Sequence, residues 1–243
     1  KPKRDDIDID FRFDSQEADV AESRFTLVPV TEKAAALNIG GHYSLALIGD
    51  FNESNATAAI IGAGLAGVDA SAAVPGIAKV KIPGRMEHFQ VPGHGTVYVD
   101  YAHNYASMKA LLSFLKRSYK DPRLLVVVGS PGDKGVSRRP GFAKVLTELA
   151  TEAFLTTDDP GYEDPANIIN EIDLKIDHTK VKVHKVLDRK EAITEAIKAS
   201  GPKDVVVVAG KGADPYQKIR GVNTPWPTDM AVVKEVAQSL QEG

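Results

Sequence analysis

The segment Leu124-Leu125-Val126-Val127-Val128-Gly129-Ser130-Pro131-Gly132-Asp133-Lys134-Gly135 reads as a strand running straight into a loop. Five apolar residues without a polar alternation stop at glycine and charge, and a helical pattern follows from about Pro140 to Ala150. A strand of that kind is buried on both faces, the habit of a parallel sheet between helical layers. The same alternation continues on both sides. Upstream, Thr96–Val99 reads as a strand and Ala106–Leu115 as a helix. Downstream, the strands Ala153–Thr156, Val181–Val183 and Val205–Val208 alternate with helices over Ala166–Ile172, Arg189–Ala199 and Asp229–Leu240. The expected fold is α/β, a doubly wound, Rossmann-like, mostly parallel sheet. Such sheets bind ligands at the carboxyl ends of their strands.

The first third of the chain has another character. Residues 1 to about 40 alternate charged and apolar residues with no strong helical period; Tyr43–Ile48 reads as a strand. An Ala-rich helix opens near Asn52, and a second runs from Asp69 to about Lys79. Pro83-Gly84 then punctuates the chain, so the expected domains are 1–83 and 84–243. Composition narrows the function classes. With 243 residues, 43% hydrophobic and 26% charged, the chain can bury a sizeable core. A net charge of −3 gives no footprint for nucleic acid or an anionic membrane. Cysteine is absent, which excludes disulfides, cysteine zinc sites and thiol nucleophiles. The opening Lys1-Pro2-Lys3-Arg4-Asp5-Asp6 has no signal-peptide core and no initiator Met, so a fragment of a longer cytoplasmic protein is expected.

Unusual residues cluster after four strands. Asp100-Tyr101-Ala102-His103-Asn104 follows Val99, and Gly129 to Gly135 with Arg138-Arg139 follows Val128. Thr157-Asp158-Asp159-Pro160-Gly161 follows Thr156, and Ala209-Gly210-Lys211-Gly212-Ala213-Asp214 follows Val208. Loops in this fold are generally polar, but four such loops on one edge point to a binding site. Asp158-Asp159 suits an ammonium ligand or caps the next segment; Arg138-Arg139 suits a carboxylate or is a solvated pair. Gly210-Lys211-Gly212 is a tight turn or a carboxylate cradle, since no Gly-x-x-x-x-Gly-Lys-Ser/Thr occurs. Gly62-Ala63-Gly64-Leu65-Ala66-Gly67 matches a dinucleotide fingerprint, with Glu87 at about the expected distance, but it follows a helical run where a strand is required. Its glycines fit the end of a helix better. The six histidines lack metal spacing, so no zinc is expected.

In this order the motifs resemble the Mur ligase family, ATP-dependent amino-acid-adding enzymes of peptidoglycan synthesis. The landmarks are Gly49-Asp50-Phe51-Asn52-Glu53-Ser54-Asn55, Pro83-Gly84-Arg85-Met86-Glu87, Asp100 to Asn104, Gly132 to Gly135, Thr157 to Pro160 and Ala209 to Gly212. The resemblance implies that residues 1–83 are the tail of a central ATP-binding domain and residues 84–243 an amino-acid-binding domain. It implies ATP contacts at Asn52, Asn55, Arg85, Asp100 and His103, with magnesium ligands mostly upstream. It implies amino-acid contacts at Arg138, Arg139, Asp158, Asp159, Gly210 and Asp214, although the family often has Glu where Asp214 stands. No catalytic residue is implied within this chain. The substrate implied is UDP-N-acetylmuramoyl-L-alanyl-D-glutamate, extended through an acyl phosphate. Members adding meso-diaminopimelate carry Asp-Asn-Pro-Arg where this chain has Asp158-Asp159-Pro160-Gly161, so the resemblance is to the L-lysine branch. The competing readings are meso-diaminopimelate addition, a folylpolyglutamate or cyanophycin type of ligase, an NAD-dependent oxidoreductase, and an interaction module.

Overall fold

The computed structural model describes residues 8–15, 20 and 22–242. The opening Lys1 to Asp6 lies outside them. The chain divides into two compact units, Lys1–Ile82 and Pro83–Gly243.

In the first unit, β1 (Phe11–Ser15), β2 (Ser23–Pro29) and β3 (Gly41–Leu45) form an antiparallel sheet in that order. Helices α1 (Glu32–Ala35), α2 (Asp50–Leu65) and α3 (Ala70–Ala78) complete it. Two strands therefore occupy the stretch before residue 40, where charged and apolar residues alternate in the sequence. Their signal is a period of two: Ser23, Phe25 and Leu27 are buried while Arg24 is exposed. Phe25 stacks on Tyr43 at 5.4 Å, and both join Leu27, Ile39, Leu45, Ala56 and Ile60 in one apolar core. The Gly62 to Gly67 run ends α2. Gly67 has φ +90°, and the Gly67 and Val68 N–H groups return to the Gly64 and Ala63 carbonyls, which is a Schellman motif. Gly64 packs on Ile39, where an added Cβ would lie 2.8 Å from the side chain. No strand precedes the run, so its geometry is not that of a dinucleotide loop.

The second unit contains β4 (Glu87–Gln90), β5 (Thr96–Asp100), α4 (Tyr105–Ser118), β6 (Leu124–Val128), α5 (Arg139–Leu149), β7 (Glu152–Leu155) and α6 (Pro165–Asp173). It continues with β8 (Lys182–Lys185), α7 (Arg189–Ala199), β9 (Val205–Ala209), β10 (Tyr216–Ile219), β11 (Val222–Pro225) and α8 (Asp229–Glu242). The sheet order is β4-β5-β9-β6-β7-β8. Every pairing is parallel except the edge strand β4, which runs antiparallel to β5. The fold is the expected doubly wound α/β sheet. Val97, Val99, Leu125, Val127, Val206 and Val208 pack on α7 and α8 through Ile193, Ile197, Met230 and Val233. Alternate residues such as Tyr98, Val126 and Val207 point the other way and are equally buried, as are Leu111, Leu115, Phe142 and Ile169 of α4, α5 and α6. Each such side chain removed from water contributes about 1.5–3 kcal/mol. Strand β9, last of the parallel strands in sequence, inserts between β5 and β6. The chain reverses its winding there, so the loops after these three strands converge at one place.

Candidate ligand site at the carboxyl edge of the sheet

The loop after β5 is held from within. Asp100 is buried, and its two carboxylate oxygens accept the Met86 and Ala102 N–H groups at 2.9 and 2.8 Å. Burial pushes its pKa up, against those two bonds and the nearby Arg85 and His103. Asp100 thus ties the turn that carries Arg85 to the end of β5. Arg85 itself is exposed, with its guanidinium 5.0 Å from the centre of the Tyr101 ring. His103 is exposed and donates through Nδ1 to the Tyr101 carbonyl at 2.7 Å.

The loops after β6 and β7 are laced together. Gly132 N–H donates to the Asp159 carbonyl at 2.8 Å, and Asp133 N–H to Glu163. Arg139 is 1% exposed and spends its guanidinium on Glu163 at 2.8 Å and Glu171 at 2.6 Å. In this structure the Arg139 guanidinium fastens α5 to α6 and the loop before it. Arg138 is half-buried and has no acid within ion-pair distance among the described residues. Lys134, exposed in the same loop, is likewise unpaired, and sequence reasoning gave it no role.

Asp159 is paired within the protein: Lys211 Nζ lies 2.7 Å from Oδ1, which also accepts the Lys218 N–H. Lys211 is 1% exposed and 3.5 Å from Asp158, so one internal ammonium serves both acids. Asp158 is buried too; burial pushes its pKa up, opposed by Arg189 and Lys211. Gly210 has φ +109° and spends its N–H on the Asp100 carbonyl at 3.1 Å, so that group is not available to a ligand. Its missing Cβ leaves room for Asp158 Oδ2, which such an atom would meet at 2.8 Å. Asp214 is half-exposed, and its Oδ1 accepts the Tyr101 hydroxyl at 3.2 Å. The structure therefore brings Arg85, Asp100, His103, Asp158, Asp159, Gly210 and Asp214 to one edge, with Arg138 on an adjoining loop. Asn52 and Asn55 belong to the first unit, on the first turns of α2. Asn52 is buried and donates to the Ile48 carbonyl at 2.8 Å; Asn55 is exposed. Among the described residues no group of three His, Asp or Glu side chains is arranged to hold a metal ion.

A site rich in paired charges, at the switch of a parallel sheet, suits a small zwitterion and a phosphate-bearing ligand more than an apolar one. The family profile described as "Mur ligase, glutamate ligase domain" matches residues 84–212, more than half of the chain. The chain belongs to the Mur ligase family. A UDP-N-acetylmuramyl-tripeptide synthetase of Lacticaseibacillus paracasei is 92% identical over the whole of this chain, which covers 47% of that protein. A UDP-N-acetylmuramoyl-L-alanyl-D-glutamate–L-lysine ligase of Enterococcus faecalis is 49% identical over 84% of the chain and 40% of its own length. The solved structure of a UDP-N-acetylmuramoyl-L-alanyl-D-glutamate–2,6-diaminopimelate ligase matches 96% of the chain with a TM-score of 0.63 at 31% identity, covering 46% of that structure. This Mur ligase chain thus spans about half the length of the curated relatives it matches. Among its described residues no helix is long and apolar enough to cross a membrane.

Proposed function

We propose that this chain is the amino-acid-binding domain, with the tail of the ATP-binding domain, of a cytoplasmic ligase that adds L-lysine to UDP-N-acetylmuramoyl-L-alanyl-D-glutamate. ATP would activate the D-glutamate carboxylate as an acyl phosphate, which the lysine amine then attacks. The similarity to the Enterococcus faecalis L-lysine ligase is the observation that carries this reading. The edge described above supports it in kind. Arg85 offers an exposed guanidinium to a phosphate. Arg138 and Lys134 offer unpaired cations to an amino-acid carboxylate, and Asp214 offers a carboxylate oxygen to an ammonium. Asn55, and the side-chain carbonyl of Asn52, are suited to an adenine edge. Magnesium ligands, and most contacts to the ATP phosphates beyond Arg85, would come from residues outside this chain, which has no phosphate loop. Bound there, magnesium would neutralise charge on the transferring phosphoryl group, while the residues described here position the reactants.

The test is amide formation by the full-length protein with ATP, magnesium and the UDP-muramoyl-dipeptide. L-lysine is expected to drive phosphate release and meso-diaminopimelate to be poorly used, while the 243-residue chain alone releases none. A preference for meso-diaminopimelate, or lysine-dependent release by the chain alone, overturns the assignment.

A further inference from the structure

Tyr101 lies between the two groups of residues assigned to different substrates. Its ring is stacked beneath the exposed Arg85 guanidinium at 5.0 Å, and its hydroxyl donates to Asp214 Oδ1 at 3.2 Å. The ring also rests on Gly212. A Cβ there would lie 2.4 Å from the ring, and Gly212 also has φ +54°, so glycine is required on both counts. The Arg85 turn presses on the same stretch: a Cβ on Gly84 would fall 2.3 Å from the Ala213 nitrogen. The backbone at 212–213 is thus touched by the turn that bears Arg85 and by the ring beneath Arg85, and the next residue is Asp214.

We infer that Tyr101 is a positioning residue that orients Arg85 for the nucleotide and Asp214 for the amine-bearing substrate, so that the two subsites are set by one side chain. This rests on the ligase reading above. The two contacts use different parts of the residue. An aromatic face attracts a guanidinium electrostatically, which any ring supplies. Only the hydroxyl can donate to the carboxylate, and that bond holds Asp214 Oδ1 in place. Without it Asp214 regains its rotamers, and binding an ammonium must restrict them again. Burial raises the Tyr101 pKa, which keeps the hydroxyl protonated as the donor.

Two substitutions separate the parts. In the full-length ligase, Tyr101→Phe keeps the ring and removes the hydroxyl. It is expected to raise KM for L-lysine about 3- to 10-fold, the loss of one hydrogen bond to a charged group acting through its partner. KM for ATP and the rate at saturating substrate should hold within about twofold. Tyr101→Leu removes both contacts and is expected to raise KM for ATP as well as for L-lysine. A purely structural tyrosine would lower the melting temperature and leave both KM values unmoved, and that result overturns the inference. Equal effects of Tyr101→Phe on both KM values also overturn it, because the hydroxyl would then not act on Asp214 alone. Both results require an active wild-type enzyme, so they leave the ligase reading standing. A wild-type protein that forms no amide overturns that reading and this inference together.

Discussion

Gly161 shows how one residue constrains what the loop after β7 can become. It has φ +61°, and a Cβ added to it would lie 2.1 Å from Asp133 Oδ2. Its N–H donates to the Lys218 carbonyl, and its carbonyl accepts the Arg220 N–H. On charge alone, Gly161→Arg with Asp159→Asn looks like a route from lysine to a substrate with a second carboxylate. The geometry points to another outcome. A left-handed non-glycine residue costs about 1–3 kcal/mol, and here the side chain must also displace Asp133. Asp159→Asn also removes the negative charge closest to the buried Lys211 ammonium. The double variant is expected to melt several degrees lower and to lose activity with both amino acids, leaving the ratio of their kcat/KM values unchanged. A ratio reversed in favour of meso-diaminopimelate, with melting unaltered, would show that the loop tolerates the fork.

Elements are locked at the site by one buried ion pair. Arg189, the first residue of α7, and Asp229, the first of α8, are fully buried and joined by two contacts of 2.8 and 2.7 Å. Arg189 also donates to the Ala209 carbonyl at the end of β9, and Trp226 donates its indole N–H to Asp229. Two helix starts and the central strand therefore meet in one network next to Asp158. Arg189→Met leaves Asp229 charged and buried without its main partner, and is expected to cost about 3–5 kcal/mol in chemical unfolding. Arg189→Met with Asp229→Leu removes both charges and should recover much of that loss. A double variant no more stable than the single one would show that the pair is not the source of the cost. The hairpin β10–β11 was invisible at this scale. Arg220 and Gly221 both have positive φ, the geometry of a type I′ turn, yet Arg-Gly lacks the Asn-Gly or Asp-Gly signal of such turns.

Among the described residues, one apolar core is built on Phe25, Leu27 and Tyr43, and another, in the second unit, on the valines of β5, β6 and β9. Separate cores are expected to unfold in separate transitions, resolved by scanning calorimetry of the 243-residue chain. Phe25→Ala, which costs about 3–5 kcal/mol in a packed core, should lower one transition and leave the other in place. A single transition lowered as a whole would mean one cooperative unit.

Periodicity alone was enough for the parallel sheet. Runs such as Leu124–Val128 and Val205–Val208 can be buried only between two layers, and the glycines and charges that follow them mark the carboxyl edge. The landmark motifs likewise carried the family, and the glycines of Gly62 to Gly67 carried the end of α2. Before residue 40 the alternation of charged and apolar residues carries the period of two of β2, but alternation alone does not fix where a strand starts and ends. Partner choice among charges was decided only by tertiary structure. A sequence shows that Arg138 and Arg139 are adjacent, but a 3₁₀ turn over Val136–Arg138 leading into α5 leaves one unpaired and buries the other on Glu163 and Glu171. It shows that Asp159 is acidic, but its nearest cation, Lys211, is 52 residues away in the chain. Ion pairs depend on distances of a few ångströms between loops that only the folded sheet brings together, and no local pattern encodes them.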